Sequence, residues 1–244
     1  MNNAITPSPW TVNNRLRLRE FAAHDVQHII DMHTQPRVRA QLVDDYPLDE
    51  PACAQKFIAG IQAFYRSHEG AGIWCAERAI PPAPQDVAEA RAAHAAGEIS
   101  HALLTLISSP TWHFIGWFSL MYVADDPSQM EIGARLLPEA WDGSTALDGG
   151  EWMLTRAFEQ LGHDRVFGYC DPANRSAAHC LRVLGFAPTG LAPYDGRQAA
   201  QFLLHREHWN NWRDLPRRER QRRLLKANYP LLLPEIDRNR PKST

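Results

Sequence analysis

Residues 131–186 read EIGARLLPEAWDGSTALDGGEWMLTRAFEQLGHDRVFGYCDPANRSAAHCLRVLGF, and the spacing of their apolar residues alternates strand with helix. Met130–Leu137 is a strand candidate. Ala146–Leu161 repeats apolar residues at helical steps, and Arg165–Cys170 is a short apolar strand. Ser176–Leu184 is a helix closed by Gly185, because glycine suits the left-handed residue that ends a helix. An alternation of this kind predicts an α/β domain.

Upstream, Arg15–Phe21 (RLRLREF) alternates long basic with apolar side chains, as a strand with one solvated face does. Ala23–Gln35 and Glu50–Tyr65 have the three- and four-residue apolar steps of amphipathic helices, and Asp49 is a candidate cap for the second. Gly72–Ala79 is a further strand or a loop. Residues 81–98 join a Pro-rich start to an Ala/Glu/Arg stretch, so an insertion at about 80–98 is expected as a loop and an exposed helix. His101–Ile107 and Phe114–Val123, separated by SSPTWH, read as a hairpin. Downstream, a turn at Tyr194, Asp195 and Gly196 and the run Gln201–Leu204 predict a closing hairpin.

The chain has 244 residues, 44% hydrophobic and 22% charged, with 14 Gly and 18 Pro. A composition of this kind excludes wholesale disorder and collagenous structure. With 26 Lys plus Arg against 28 Asp plus Glu, the net charge of -2 argues against a surface that grips nucleic acid everywhere. Cys53, Cys75, Cys170 and Cys180 show neither metal-ligand spacing nor a dense disulfide pattern, which points to a reducing compartment. Residues 1–20 lack the apolar core of a signal peptide, and Phe114–Val123 is too short for a membrane span. The expectation is a cytoplasmic protein with no membrane partner. His24, His28 and Asp31 fall on one helical face, yet no further ligand is marked, so they read as surface residues and no metal is expected.

The stretch 131–186 resembles the GNAT acyl-CoA-dependent N-acyltransferases, and within them the ribosomal-protein N-terminal acetyltransferases. The points of contact are Glu131-Ile132-Gly133, Leu136, Pro138-Glu139 with Trp141, Ala157-Phe158, Leu161-Gly162, Arg165-Val166, Asp171-Pro172 with Asn174, and Leu184-Gly185-Phe186. The upstream segments fit the family more loosely. The resemblance implies a mixed, mostly antiparallel sheet flanked by helices over residues 11–209, followed by a basic helical extension over 210–244. It implies acetyl transfer from acetyl-CoA, the co-substrate, to a primary amine, either a small molecule or a protein N-terminus.

In the family, free backbone amides near Leu136 and Leu137 hold the thioester carbonyl and the pantetheine arm. Such amides stabilise the oxyanion formed when an amine attacks. The resemblance implies that the loop Trp141, Asp142, Gly143, Ser144, Thr145, Ala146 leads to a helix whose N-terminus would face the CoA diphosphate. Asn174 matches the asparagine that contacts the pantetheine arm, and Glu131 is the candidate base, accepting the ammonium proton or holding the ammonium by charge.

The sequence departs from the family where phosphate and leaving group are handled. Ser144 stands in place of the central loop glycine, no basic residue remains in the loop, and Asp142 adds a negative charge that would repel phosphate by on the order of 1 kcal/mol. Gly149 and Gly150 lower the following helix's propensity by roughly 1 kcal/mol each. The serine that protonates the thiolate in the family is Ala177 here, Leu181 fills the tyrosine position of other branches, and Ser176 is one residue early. Cys170 and Cys180 lack an accompanying His/acid pattern, so direct attack in a ternary complex is expected rather than a covalent acyl-enzyme. A degenerate, acyl-CoA-binding or interaction module is the alternative.

The remaining features have plain structural readings. Trp74, Trp112, Trp117, Trp141 and Trp152 read as core residues, His179 as an exposed helical residue, and Tyr194 as either a turn residue or part of the acceptor pocket. Residues 206–244 carry 11 Lys or Arg against five Asp or Glu. A helix over Leu215–Ala227, with Asp214 near its start and Asn228 near its end, would show cations on nearly every face. Residues 213–226 could follow RNA, a ribosomal surface or another acidic partner. Alternatively, Leu224, Leu225 and Leu231–Leu233 pin a solvated helix to the domain.

Overall fold

The computed structural model describes residues 9–44, 46–123 and 126–238, apart from the side chains of Pro127 and 228–238. Its strands are β1 (Trp10–Thr11), β2 (Leu16–Arg19), β3 (Gly72–Ile80), β4 (Thr111–Val123), β5 (Asp126–Leu136), β6 (Arg165–Cys170), β7 (Ala187–Tyr194) and β8 (Arg197–His205). They hydrogen-bond in the order β1-β2-β3-β4-β5-β6-β8-β7. The β5–β6 pairing is parallel, while β1–β2, β2–β3, β6–β8 and β7–β8 are antiparallel. The helices are α1 (Val26–His33), α2 (Pro36–Arg39), α3 (Pro51–Ser67), α4 (Pro84–Ala95), α5 (His101–Ser108), α6 (Thr145–Thr155), α7 (Arg175–Leu184), α8 (Arg206–Trp212) and α9 (Arg217–Arg238). The chain gathers into two compact units, one of residues up to 39, 47–119 and 134–149, the other of 40–46, 120–133 and 150 onward.

In the first unit the alternation in RLRLREF separates two chemistries. Leu16 and Leu18 are fully buried, whereas Arg17 and Arg19 turn to the other face and clasp Glu77 of β3 at 2.6 and 3.0 Å. Arg19 also grips the buried Asp25 with two nitrogens, at 2.7 and 2.8 Å. Burial alone would push the Asp25 carboxyl up, but this bidentate pairing outweighs it and holds the pKa below the ordinary value. Ile29 and Met32 of α1 and Ile58 and Ile61 of α3 fill the core with Trp74 and Trp117.

Two local expectations are corrected in this unit. His101–Ile107 is helical, not a hairpin strand. Ala and Leu are strong helix formers, and Ser100 caps the segment by accepting the Leu103 N–H at 3.2 Å. With α4, α5 makes a helical hairpin between β3 and β4, so β4 begins only at Thr111. Asp49 does not cap α3 either. That helix starts after Glu50 with Pro51 in its first turn and no side-chain cap, while Asp49 lies 3.6 Å from Arg39.

In the second unit, Gly185 ends α7 at φ 107°, as its position predicts. The β7–β8 hairpin turns on Asp195 and Gly196, whose φ values of 47° and 75° are both positive, the signature of a two-residue primed turn. The segment expected as one helix over Ala146–Leu161 consists of α6 and then a π-helical turn, Arg156–Gln160. The two glycines in α6 permit close packing. A Cβ on Gly149 would lie 2.2 Å from the Phe118 ring, and one on Gly150 would lie 2.6 Å from Leu184.

The basic extension also differs from expectation. α9 continues past Asn228 to Arg238; Leu225 is exposed and Leu224 half-buried, and the side chains of Leu231–Leu233, expected to help pin the helix, lie outside the described residues. Arginines hold the helix in place. Arg217 and Arg220 both bond Glu151, and the buried Arg220 also donates to the carbonyls of Leu215 and Arg213.

Candidate acyl-transfer site

The loop expected to receive phosphate lies in the first unit, between β5 and α6. Gly116 of β4 permits a close approach here, since a Cβ on it would lie 2.1 Å from the Arg135 carbonyl oxygen. β4 then takes the Leu137 N–H onto the Ile115 carbonyl at 2.9 Å, so the expectation that this amide stands free is corrected. The Leu136 carbonyl accepts the indole N–H of Trp141 at 2.9 Å. Trp141 itself is 42% exposed with the Arg37 guanidinium over its ring, unlike the buried Trp74 and Trp117, so reading all five tryptophans as core is corrected.

Asp142 organises the rest of the loop. Its Oδ1 accepts from the Ser144 N–H at 3.0 Å, the Ser144 hydroxyl at 3.1 Å and the Thr145 N–H at 2.9 Å. Its Oδ2 accepts from the Thr145 hydroxyl at 3.2 Å and from Arg78 Nη2 at 2.6 Å. Burial pushes this carboxyl up, yet the donors around it outweigh burial and hold its pKa below the usual range. Two amides expected to rest on phosphate are therefore already paired with a carboxylate of the chain. Gly143, at φ 75° with open space where a Cβ would sit, lets the loop turn.

Arg78 is the residue that sequence reasoning missed. From β3 it reaches Asp142, the Thr145 hydroxyl at 2.6 Å and the Glu139 carbonyl at 3.0 Å. The loop lacks a cation in its own sequence, and β3 delivers one across the fold. Only the strand register, which pairs Arg78 with Leu16, sets its place, so no local motif marks it. A small cleft opens here, lined by Arg15, Arg78, Asp142, Ser144, Thr145 and Asp148.

Glu131, Asn174 and Ser176 belong to the second unit. The β5–β6 ladder runs Met130–Val166, Glu131–Phe167 and Ile132–Gly168 and stops there, although β5 continues to Leu136 and β6 to Cys170. Glu131, half-buried in the middle of this ladder, accepts one hydrogen bond at 2.8 Å, from the Tyr194 hydroxyl. Desolvation pushes its carboxyl up to about 7, partly offset by that bond. Among the described residues no lysine, arginine or histidine forms an ion pair with it.

Asn174 caps α7 by accepting the Ala177 N–H at 3.0 Å through Oδ1, which leaves its side-chain NH2 turned to other uses. Ser176 and His179 are exposed on α7. Burial pushes the Cys170 thiol up to about 11 and raises that of Cys180, so both favour the protonated form, which is a poor nucleophile. His24, His28 and Asp31 are held singly: His24 lies 3.7 Å from Asp25, His28 stacks on Phe114, and Asp31 accepts from Gln27.

A family model described as an acetyltransferase (GNAT) domain matches residues 15–187. The chain belongs to this family. No curated protein matches the sequence. An acetyltransferase from Agrobacterium tumefaciens str. C58 is similar in structure at a TM-score of 0.58 and 19% identity, covering 84% of this chain and 99% of its own. The microcin C7 self-immunity acetyltransferase MccE, solved with acetyl-CoA and AMP, has a TM-score of 0.58 and 13% identity, covering 84% and 99%. A Vibrio cholerae protein described provisionally as a ribosomal-protein-serine acetyltransferase has a TM-score of 0.58 and 14% identity, covering 82% and 98%. At these identities the likeness is one of fold. The GNAT fold and the general assignment as an acetyltransferase agree with the reading of residues 131–186.

Proposed function

We propose that this GNAT protein moves an acetyl group from acetyl-CoA to a primary amine by direct attack in a ternary complex, with Glu131 as general base. The observation that carries the reading is the Glu131 carboxylate, desolvated, without a cationic partner and poised near neutrality within the short parallel ladder. A base in this state accepts a proton from an ammonium at neutral pH and remains ionised often enough to do so.

The donor set of the β5–α6 loop fits a thioester nucleotide in part. Arg78, a guanidinium with five N–H donors, suits phosphate, whereas the Ser144 and Thr145 amides and hydroxyls are all taken by Asp142. When bound, acetyl-CoA supplies an activated acyl group with a thiolate leaving group. The chain's part is to position and deprotonate. One proton passes from the ammonium to Glu131, and the freed nitrogen lone pair forms the C–N bond. The C–S bond breaks with its electrons on sulfur, and the second nitrogen proton ends on the thiol or in water. The protonated state favoured at Cys170 and Cys180 supports this route over an acyl-enzyme. Asn174 and Trp141–Ala146 are put forward as the cofactor-binding residues, and Ser176, on the first turn of α7, as a candidate acid. The four free cysteines suit a cytoplasmic enzyme.

Release of CoA thiol with a panel of small amines and N-terminal peptides tests the reading, alongside calorimetry of acetyl-CoA binding to the wild type and Asn174→Ala. Micromolar binding, turnover with one amine class and weaker binding by the variant are expected. No measurable heat would overturn the enzyme and favour a degenerate interaction module, which the self-paired Asp142 loop would suit. The exposed Arg218, Arg222, Arg223 and Lys226 support a second role for residues 213–226, docking on RNA, a ribosome or another acidic partner. Such binding weakens with salt and is lost on deleting 213–244; salt-independent association would reject it.

A further inference from the structure

Glu131 is held by a chain of contacts that starts at a β-bulge. β7 pairs Pro188 with Phe202 and Gly190 with Gln201, so Thr189 is the extra residue. Its hydroxyl donates to the Gln201 side-chain oxygen at 2.9 Å and to the Gln201 carbonyl at 3.2 Å. With its oxygen engaged, the Gln201 amide points its nitrogen at the Tyr169 hydroxyl, 2.9 Å away. The Tyr169 ring packs against that of Tyr194 at 4.7 Å between centroids, and the Tyr194 hydroxyl donates to Glu131. Tyr194 is the last residue of β7, opposite Arg197, immediately before the primed turn at Asp195 and Gly196. A two-residue turn of this kind leaves no slack in register.

We propose that Tyr194 is a positioning residue for the general base: its hydroxyl orients and stabilises the ionised Glu131 carboxylate, and the Thr189–Gln201–Tyr169 relay fixes its ring. The proposal rests on the reading of Glu131 as the base. Neither the family's serine position, Ala177, nor its tyrosine position, Leu181, offers a hydroxyl here, whereas the hairpin places one on the carboxylate. Among the described residues the titratable groups facing Glu131 are phenols, Tyr194 from β7 and Tyr169 from β6, and β8 presents the neutral amide of Gln201. The nearest cation on β6, Arg165, lies over the Phe167 ring at 5.8 Å. A hydrogen bond to the ionised form favours that form, so removing it moves Glu131 further towards the acid.

The test is a 13C NMR titration of the glutamate carboxyls in the full-length wild type, Tyr194→Phe and Tyr194→Ala, with Glu131→Gln identifying the resonance. The pH profile of kcat/KM is measured on the same proteins. The wild-type carboxyl is expected to titrate near neutrality, and Tyr194→Phe to raise its midpoint by half a unit to one unit. The profile's acid limb should move with it, a 3- to 10-fold loss below pH 7 that recovers as pH rises. Tyr194→Ala, which also readmits water to the carboxylate, should raise the midpoint less than Tyr194→Phe does. An unchanged carboxyl midpoint in Tyr194→Phe, or an equal loss at every pH, overturns the proposal. Failure of the base assignment looks different: Glu131→Gln then retains activity and the acid limb, whatever the titration says of Tyr194.

Discussion

Asp142 and Glu131 are both carboxylates in the segments proposed to serve acyl transfer, yet the fold treats them oppositely. Asp142 collects five donors, from Ser144, Thr145 and Arg78, and stays ionised well below neutrality. Glu131 has one donor, loses its hydration and sits near pH 7. The supply of donors and the loss of water together decide which carboxylate becomes a brace and which can carry a proton. The Asp142 loop satisfies the chain's own chemistry first, so a ligand proposed to sit at α6 would have to compete with an internal anion.

The largest effect that would break this contrast is on turnover. Glu131→Gln is expected to lower kcat by about 10²- to 10³-fold in a CoA-release assay, as loss of a general base does, and a loss below threefold would remove Glu131 from that role. Wild-type activity should rise with pH through about 7, because the ionised form works.

Next comes stability. The folded pKa of Glu131 lies above its ordinary 4.5, so the native state binds the extra proton and its stability declines as pH rises from that value to about 7. Glu131→Gln keeps an acceptor for Tyr194 and removes the decline. Denaturant melts should find it more stable than wild type at pH 8, on the order of 2 kcal/mol, with little difference at pH 4. A constant difference across pH would contradict the raised pKa.

Asp142→Ala should act in the opposite direction, costing about 1 kcal/mol at pH 7 as the loss of side-chain hydrogen bonds to backbone amides does. Its lowered pKa means that this contribution is present above the unfolded value and fades as pH falls through the folded one. The smallest effect belongs to Arg78→Ala, whose partly exposed pair with Asp142 contributes below ~1 kcal/mol. Acetyl-CoA affinity, measured by calorimetry, should nevertheless weaken several-fold if Arg78 supplies the cation that the loop lacks.

Much of the scaffold was legible because periodicity and punctuation act locally. The alternation in RLRLREF, the Gly185 stop and the Asp195-Gly196 turn each have one favoured backbone answer. His101–Ile107 misled because a short apolar run serves helix and strand alike, and the Ser100 cap decided it. Asp142 was visible as a charge near the expected phosphate, but its partner is 64 residues away on another strand. Tyr194 was read as a turn residue or part of an acceptor pocket, since its contact with Glu131 spans 63 residues.

The amino-acid order alone determined the strand–helix alternation of residues 131–186 and the family whose pattern it follows, because backbone preferences and apolar spacing act over a few neighbours. The protonation behaviour of its carboxylates was settled only by tertiary structure. That behaviour depends on how many donors the folded chain brings to each oxygen and how much water it removes, and both are sums over residues distant in sequence.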